Sequence, residues 1–239
     1  GNAVDCPIPI LYQDPRILVC LKPPGVVSTD QPGGLPDQLR AQLGGGPELC
    51  LRTVHRLDQR VGGVMVLARS RMAARLLSQQ VEEHTFYKEY LAVLWGGPGE
   101  EEGLLRDWLG YDKRTRRAYT APASGPAVRE AVLRYRVLAR EGGYALAAVV
   151  LETGRTHQIR AQFAARGFPL AGDQKYGAPP LEAPGIGLWS RCLAFTHPQS
   201  GERLTFSALP PEAAPWDRFS FLKGISRGKE HPFDFPFSL

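Results

Sequence analysis

The segment AVLRYRVLAREGGYALAAVVLET, residues 131–153, constrains the fold more than any other stretch of the chain. Two strand patterns flank Glu141-Gly142-Gly143, a compact turn, so the chain is expected to build an antiparallel pair there. YALAAVVL is also the longest apolar run. It has the length of a buried strand and falls far short of the roughly 20 residues needed to cross a bilayer. The 26 glycines and 21 prolines imply many turns joining short elements, which points to a strand-rich fold.

The remaining elements fit that frame. ILYQDPRILVCLKPPG reads as a strand, an Asp-Pro turn and a second strand that stops at two prolines. LPDQLRAQL is predicted to be a short helix before a glycine-rich turn. GGVMVLARS is a strand leading into the helix RMAARLLSQQVEE, in which Met72, Leu76, Leu77 and Val81 share a face expected to be core. YKEYLAVLWG is another strand, followed by the acidic, turn-rich GGPGEEEG and a basic hairpin, KRTRRAY. THQIRAQFAARG predicts a helix starting near Thr156 and stopping at Gly167. RCLAFTHPQSGERLTFSA is a final hairpin, and the tail after it is expected to be irregular, its aromatics packing back on the body. The class is α+β, with a mixed, mostly antiparallel sheet and flanking helices and loops. Residues 4–222 are expected to form one catalytic domain and 223–239 an irregular C-terminal tail; the opening GNA is set aside as a cloning remnant.

Composition narrows the function. With 29 basic against 24 acidic residues the formal charge is +5, which favours a polyanionic partner. Cys6, Cys20, Cys50 and Cys192 are far apart, with neither a CxxC pair nor disulfide-scaffold density, as expected of reduced thiols in a cytosol. No charged segment followed by an apolar signal core opens the chain, so a soluble, cytoplasmic protein without membrane contact is expected. Phosphate-loop, dinucleotide and HExxH motifs are absent. The five histidines show no pairing at metal-ligand spacing. No metal and no cofactor are expected.

Two segments are dense in functional side chains: HRLD at 55–58 and ETGRTHQIR at 152–160. A helix starting near Thr156 would present Thr156, His157 and Arg160 together, and its free N–H groups would attract phosphate. The blander alternatives are a threonine that caps a helix, solvated arginines, a turn aspartate at Asp58 and a structural histidine at His55. Gly62-Gly63 would let the first segment turn tightly into its strand.

HRLD before a glycine and an apolar strand, KEYLAV at 88–93, ETGRTHQIR, the downstream GDQKYG and the opening LYQDPRILVCLKPPGVVS together resemble the RluA family of pseudouridine synthases. The likeness runs from about Ile10 to Leu209. It implies the pseudouridine synthase catalytic fold with a central RNA-binding cleft, and a cofactor-free isomerisation of uridine in ribosomal or transfer RNA by a monomer. The small N-terminal RNA-binding module of many relatives is not seen.

Matched residue by residue, the resemblance assigns Asp58 as the essential carboxylate, Tyr90 as the tyrosine beside the displaced base and Arg160 as the motif arginine. Cleaving a glycosidic bond builds positive charge on the sugar, which an ionised carboxylate stabilises or traps. Arg160 is expected to hold Asp58 charged, and Tyr90 to stack on the base and relay a proton. Arg56 is expected to enter the space of the flipped base. His55, Gly154, Arg155, Thr156, His157, Gln158 and Lys175 complete the expected RNA-binding set, with the KRTRRAY hairpin as a phosphate contact. Val61-Gly62-Gly63 stands where relatives carry Thr-Ser-Gly, and Gln162 where they carry a second histidine. The lost hydroxyls motivate a second reading, a catalytically idle RNA-binding protein of the same fold. A glycosidase would need a second facing carboxylate, and Glu89 and Glu152 match no such position.

Overall fold

The structure is a computed structural model that describes residues 7–226. In chain order the elements are β1 (Ile10–Gln13), β2 (Ile17–Lys22), α1 (Leu35–Leu43), β3 (Arg52–Thr53), β4 (Gly62–Ala68), α2 (Arg71–Glu82), β5 (Tyr87–Trp95), β6 (Glu102–Asp112), β7 (Arg117–Ala121), β8 (Arg129–Glu141), β9 (Tyr144–Leu151), α3 (Gln158–Ala165), β10 (Leu188–Thr196), β11 (Arg203–Ser207) and α4 (Ser220–Ser226). The fold is α+β. Two compact units divide it: residues up to Lys88 with Ser190–Ala208, and Glu89–Trp189 with the residues from Leu209 on.

In the first unit the strand order is β1-β2-β4-β10, with β3 paired to β4 and β11 to β10. Alternation along β2 and β4 builds its core. Ile17, Val19 and Leu21 oppose Ala68, Val66 and Val64, so these six side chains share one face. On that face Ala73 and Leu77 of α2 pack with Phe86, Leu193 and Phe195, and the Phe86 and Phe195 rings stack at 5.5 Å. Ser70 caps α2, its hydroxyl accepting the Ala73 N–H at 3.1 Å. The expected core face of this helix is corrected: Met72 is 59% exposed, while Ala73 and Leu77 are buried. At about 100° per residue Met72 lies well away from the stripe that Ala73, Leu77 and Val81 define.

Lys22, Cys20 and Leu18 point to the opposite face, where they oppose Gly63, Met65 and Leu67. Gly63 lies within β4 at φ 131°, and a Cβ there would meet the Ser190 carbonyl oxygen at 2.3 Å and its nitrogen at 2.5 Å. This glycine is therefore required by the close approach of β10 rather than by a tight turn out of the loop. Gly63→Ala is expected to cost about 3 kcal/mol or more, read as a melting-temperature fall of roughly 6–12 °C. A variant that melts with the wild type would remove this account.

In the second unit the order is β5-β9-β8-β6-β7, and every pairing is antiparallel. Glu141 pairs with Tyr144, so Gly142 and Gly143, at φ 59° and 82°, form the two-residue hairpin turn. β6 has no counterpart among the strands read from the sequence. Only Leu105, Leu109 and Gly110 are buried along it, so its apolar signal is broken by the exposed Leu104 and Arg106. Helix α3 covers this sheet through Ala161, packed with Leu109, Ala118, Ala131 and Tyr176, and through Phe163, edge-on to Tyr135.

The helix begins at Gln158, later than its sequence pattern indicates, because His157 takes a left-handed conformation at φ 56°. Its end is as expected: Gly167, at φ 89°, donates to the Ala164 carbonyl while Phe168 donates to that of Phe163. Helix α4 takes in Lys223–Ser226, the first residues of the stretch read as an irregular tail; the rest of that stretch lies outside the described residues. No helix among the described residues is long and apolar enough to cross a membrane.

Candidate active site

In the first unit the HRLD segment leaves β3 and alternates inward and outward. His55 and Leu57 are buried, Arg56 is exposed and Asp58 is half-buried. The His55 ring accepts the Val66 N–H on Nε2 at 3.2 Å and tilts against Phe86, with centroids 5.3 Å apart. Burial, reinforced by the Lys88 charge, pushes His55 down to about 3, so the ring is neutral and carries its proton on Nδ1. Only 7% exposed, it has the place of a brace under the loop.

The backbone on both sides of Asp58 is tied to the segment that follows β2. Ser28 Oγ donates to the Leu57 carbonyl at 2.6 Å and accepts the Leu57 N–H at 3.0 Å. Beyond Asp58, the Gln59 carbonyl accepts the Gly25 N–H at 2.7 Å and a proton of Lys22 Nζ at 3.2 Å. Val61 N–H closes a turn on the Asp58 carbonyl at 2.9 Å. Lys22 itself is fully buried, and its Nζ also donates to the carbonyls of Pro23 at 3.0 Å and Val26 at 2.5 Å. Burial pulls its ammonium down to about 8, a fall that the nearby Asp58 carboxylate opposes. Lys22 and Ser28 were not singled out from the sequence, although both sit in the quoted LKPPGVVS. Val61 is 1% exposed and belongs to the apolar core.

In the second unit Tyr90 lies on β5 opposite Val149 and is 6% exposed. Thr153 and Gln158 lace the strand end to α3. Thr153 Oγ1 accepts the Val132 N–H at 2.9 Å and donates to Gln158 Oε1 at 2.8 Å, which also accepts the Arg155 N–H at 2.9 Å. Gln158 Nε2 gives its two protons to the Val132 carbonyl and to Gln162 Oε1. Gln158 is thus a buried internal strut between the strand end and the helix. Thr156 and Gly154 are exposed, Arg155 Nε donates to the Glu130 carbonyl at 2.8 Å, and Lys175 Nζ donates to the Arg116 carbonyl at 3.0 Å.

Arg160 is 8% exposed, and its Nε and Nη2 donate to the two oxygens of Asp173 at 2.7 and 2.9 Å. Asp173 is fully buried and comes from the quoted GDQKYG, as does Tyr176; neither was assigned a role from the sequence. Tyr176 OH accepts the Ala118 N–H at 2.8 Å and meets His157 Nδ1 at 2.7 Å, while the guanidinium carbons of Arg117 and Arg160 each lie 5.0 Å from its ring centre. His157, left-handed just before α3, and Arg160 within the helix thus meet at one tyrosine. Among the described residues no group of three or more His, Cys, Asp or Glu side chains could hold a metal.

The profile of the RNA pseudouridylate synthase family matches residues 16–165, which include both motif segments. The chain belongs to the RluA-type RNA pseudouridine synthases. Membership makes it an isomerase that modifies RNA. The synthase YlyB of Bacillus subtilis (strain 168), itself described as uncharacterized, is 35% identical over 212 residues, 85% of this chain and 69% of that one. The dual-specificity RNA pseudouridine synthase RluA of Escherichia coli (strain K12) is also 35% identical over 212 residues, covering 83% of this chain and 91% of its own. The solved structure of human RNA Pseudouridylate Synthase Domain Containing 1 shares the fold at a TM-score of 0.74 and 23% identity, over 89% of this chain and 87% of that one.

Proposed function

We propose that this synthase converts a specific uridine of a structured ribosomal or transfer RNA to pseudouridine in the cytoplasm, with Asp58 as the essential carboxylate. The observation that carries the proposal is the loop itself: a half-buried carboxylate between Leu57 and Gln59, whose backbones are both tied down. A pinned carboxylate meets the developing positive charge at the sugar without reorganising. The C1′–N1 bond breaks, the uracil turns, and a C1′–C5 bond forms; the proton on C5 is lost and N1 takes one up, so the product is an isomer of the substrate. Asp58 serves this sequence either as a nucleophile at C1′ or as the base of a glycal-type elimination.

Tyr90 lies against the displaced base, and Arg160 is the positive charge that favours the ionised form of Asp58. Arg56, exposed at the loop, occupies the space that the flipped uridine vacates, a step that costs a few kcal/mol and least in loops. Lys113, Arg114, Arg116 and Arg117 are exposed on the β6–β7 hairpin and suit RNA phosphates. Carbodiimide-dependent primer-extension stops, mapped in RNA from cells with and without the gene, test the reading. A stop that vanishes in the deletion strain and returns with the gene supports it and identifies the uridine; an unchanged map favours an idle RNA-binding protein.

A further inference from the structure

We propose that Lys22 is a positioning residue for the reaction, its ammonium holding the Asp58 loop in its working geometry and releasing part of that hold when it loses a proton. The inference rests on the assignment of Asp58 above. An ammonium has three protons, and here three carbonyls, those of Pro23, Val26 and Gln59, take one each in a fully buried position. Among the described residues Lys22 makes no ion pair, and the Asp58 carboxylate is the anion that acts on it. A neutral chain of equal length would fill the same space but leave the Pro23, Val26 and Gln59 carbonyls without these protons.

A neutral amine has two protons and a lone pair, which cannot satisfy three carbonyls. The longest of the three contacts, 3.2 Å to Gln59, is the one that gives way, and it holds the residue next to Asp58. The Gly25 N–H still grips the Gln59 carbonyl at 2.7 Å, so the loop loosens rather than unfolds. The groups facing Lys22 from its surroundings are few. Asp58 comes from the loop, and Cys20 from β2, its buried thiol pushed up to about 12 and therefore neutral; Gly63 stands opposite on β4 without a side chain. The segment after β2 presents the Pro23 and Val26 carbonyls. With burial bringing the ammonium down to about 8, its discharge falls in an accessible range.

The test is the pH profile of tritium release from saturating [5-³H]uridine-labelled total RNA of the deletion strain. The wild type is expected to lose rate on an alkaline limb near pH 8. Lys22→Arg, which stays charged throughout, is expected to hold its rate beyond that limb. Lys22→Met is expected to be slowed roughly tenfold or more at every pH with KM unchanged. An alkaline limb identical in the wild type and Lys22→Arg overturns the proposal, as does a Lys22→Met enzyme with wild-type kcat. If Lys22→Met does not fold, the arginine comparison decides alone. Either overturning result in an active wild-type enzyme leaves the synthase reading intact, whereas a wild type inactive on this RNA removes the synthase reading itself.

Discussion

Asp58→Asn is expected to abolish pseudouridine formation, lowering the rate by at least about 10⁴-fold, or roughly 5 kcal/mol of barrier. The amide keeps the size and the polar shape of the carboxylate but carries no negative charge. It can neither stabilise positive charge at C1′ nor form an ester there. The loop should survive, because the ties through the Leu57, Gln59 and Asp58 backbones and through Ser28 and Lys22 remain in place. RNA affinity and melting temperature are accordingly expected to stay near wild type while tritium release stops. A fully active, well-folded Asp58→Asn enzyme would contradict the assignment directly.

Asp173→Ala is expected to be the most damaging change in the second unit, costing about 3–5 kcal/mol, since it strips a buried guanidinium of its bidentate partner. For a chain of this size that corresponds to a melting-temperature fall on the order of 10 °C. Activity is expected to fall with it, because the same two bonds aim Arg160. A double-mutant cycle with Arg160→Leu separates the pair from its members: strong coupling, with the double variant more stable than Asp173→Ala alone, is expected. Additive losses, or an Asp173→Ala protein within about 1 kcal/mol of wild type, would show that the pair does not carry this energy.

The elements most legible in the sequence are those written in local chemistry. Helix α1 runs over Leu35–Leu43 as its pattern indicates, stopped by Gly44 in the left-handed region at φ 73°. The Gly142-Gly143 turn places β8 and β9 in register for the same reason. The misreadings have equally definite causes. β6 exposes one face to solvent, so its residues do not form an apolar run. His157 interrupts the helical spacing by one left-handed residue, which no periodicity announces. Met72 is apolar and at helical spacing, yet it stands outside the stripe that the sheet covers.

The motif residues separate in the same way. Sequence alone determined the family, through HRLD, KEYLAV and ETGRTHQIR, and with it the proposal of Asp58 as the essential carboxylate, because those side chains are specified by type and order along the chain. Tertiary structure decided which polar groups are buried and what they hold: Lys22 on three carbonyls beside the Asp58 loop, Asp173 on Arg160, Gln158 as a strut and Gly63 under the Ser190 backbone. The physical reason is that burial is a sum of contacts from residues distant in sequence. A lysine after a strand reads as a surface cation until the fold closes over it, and only then does its charge act on the carboxylate nearby.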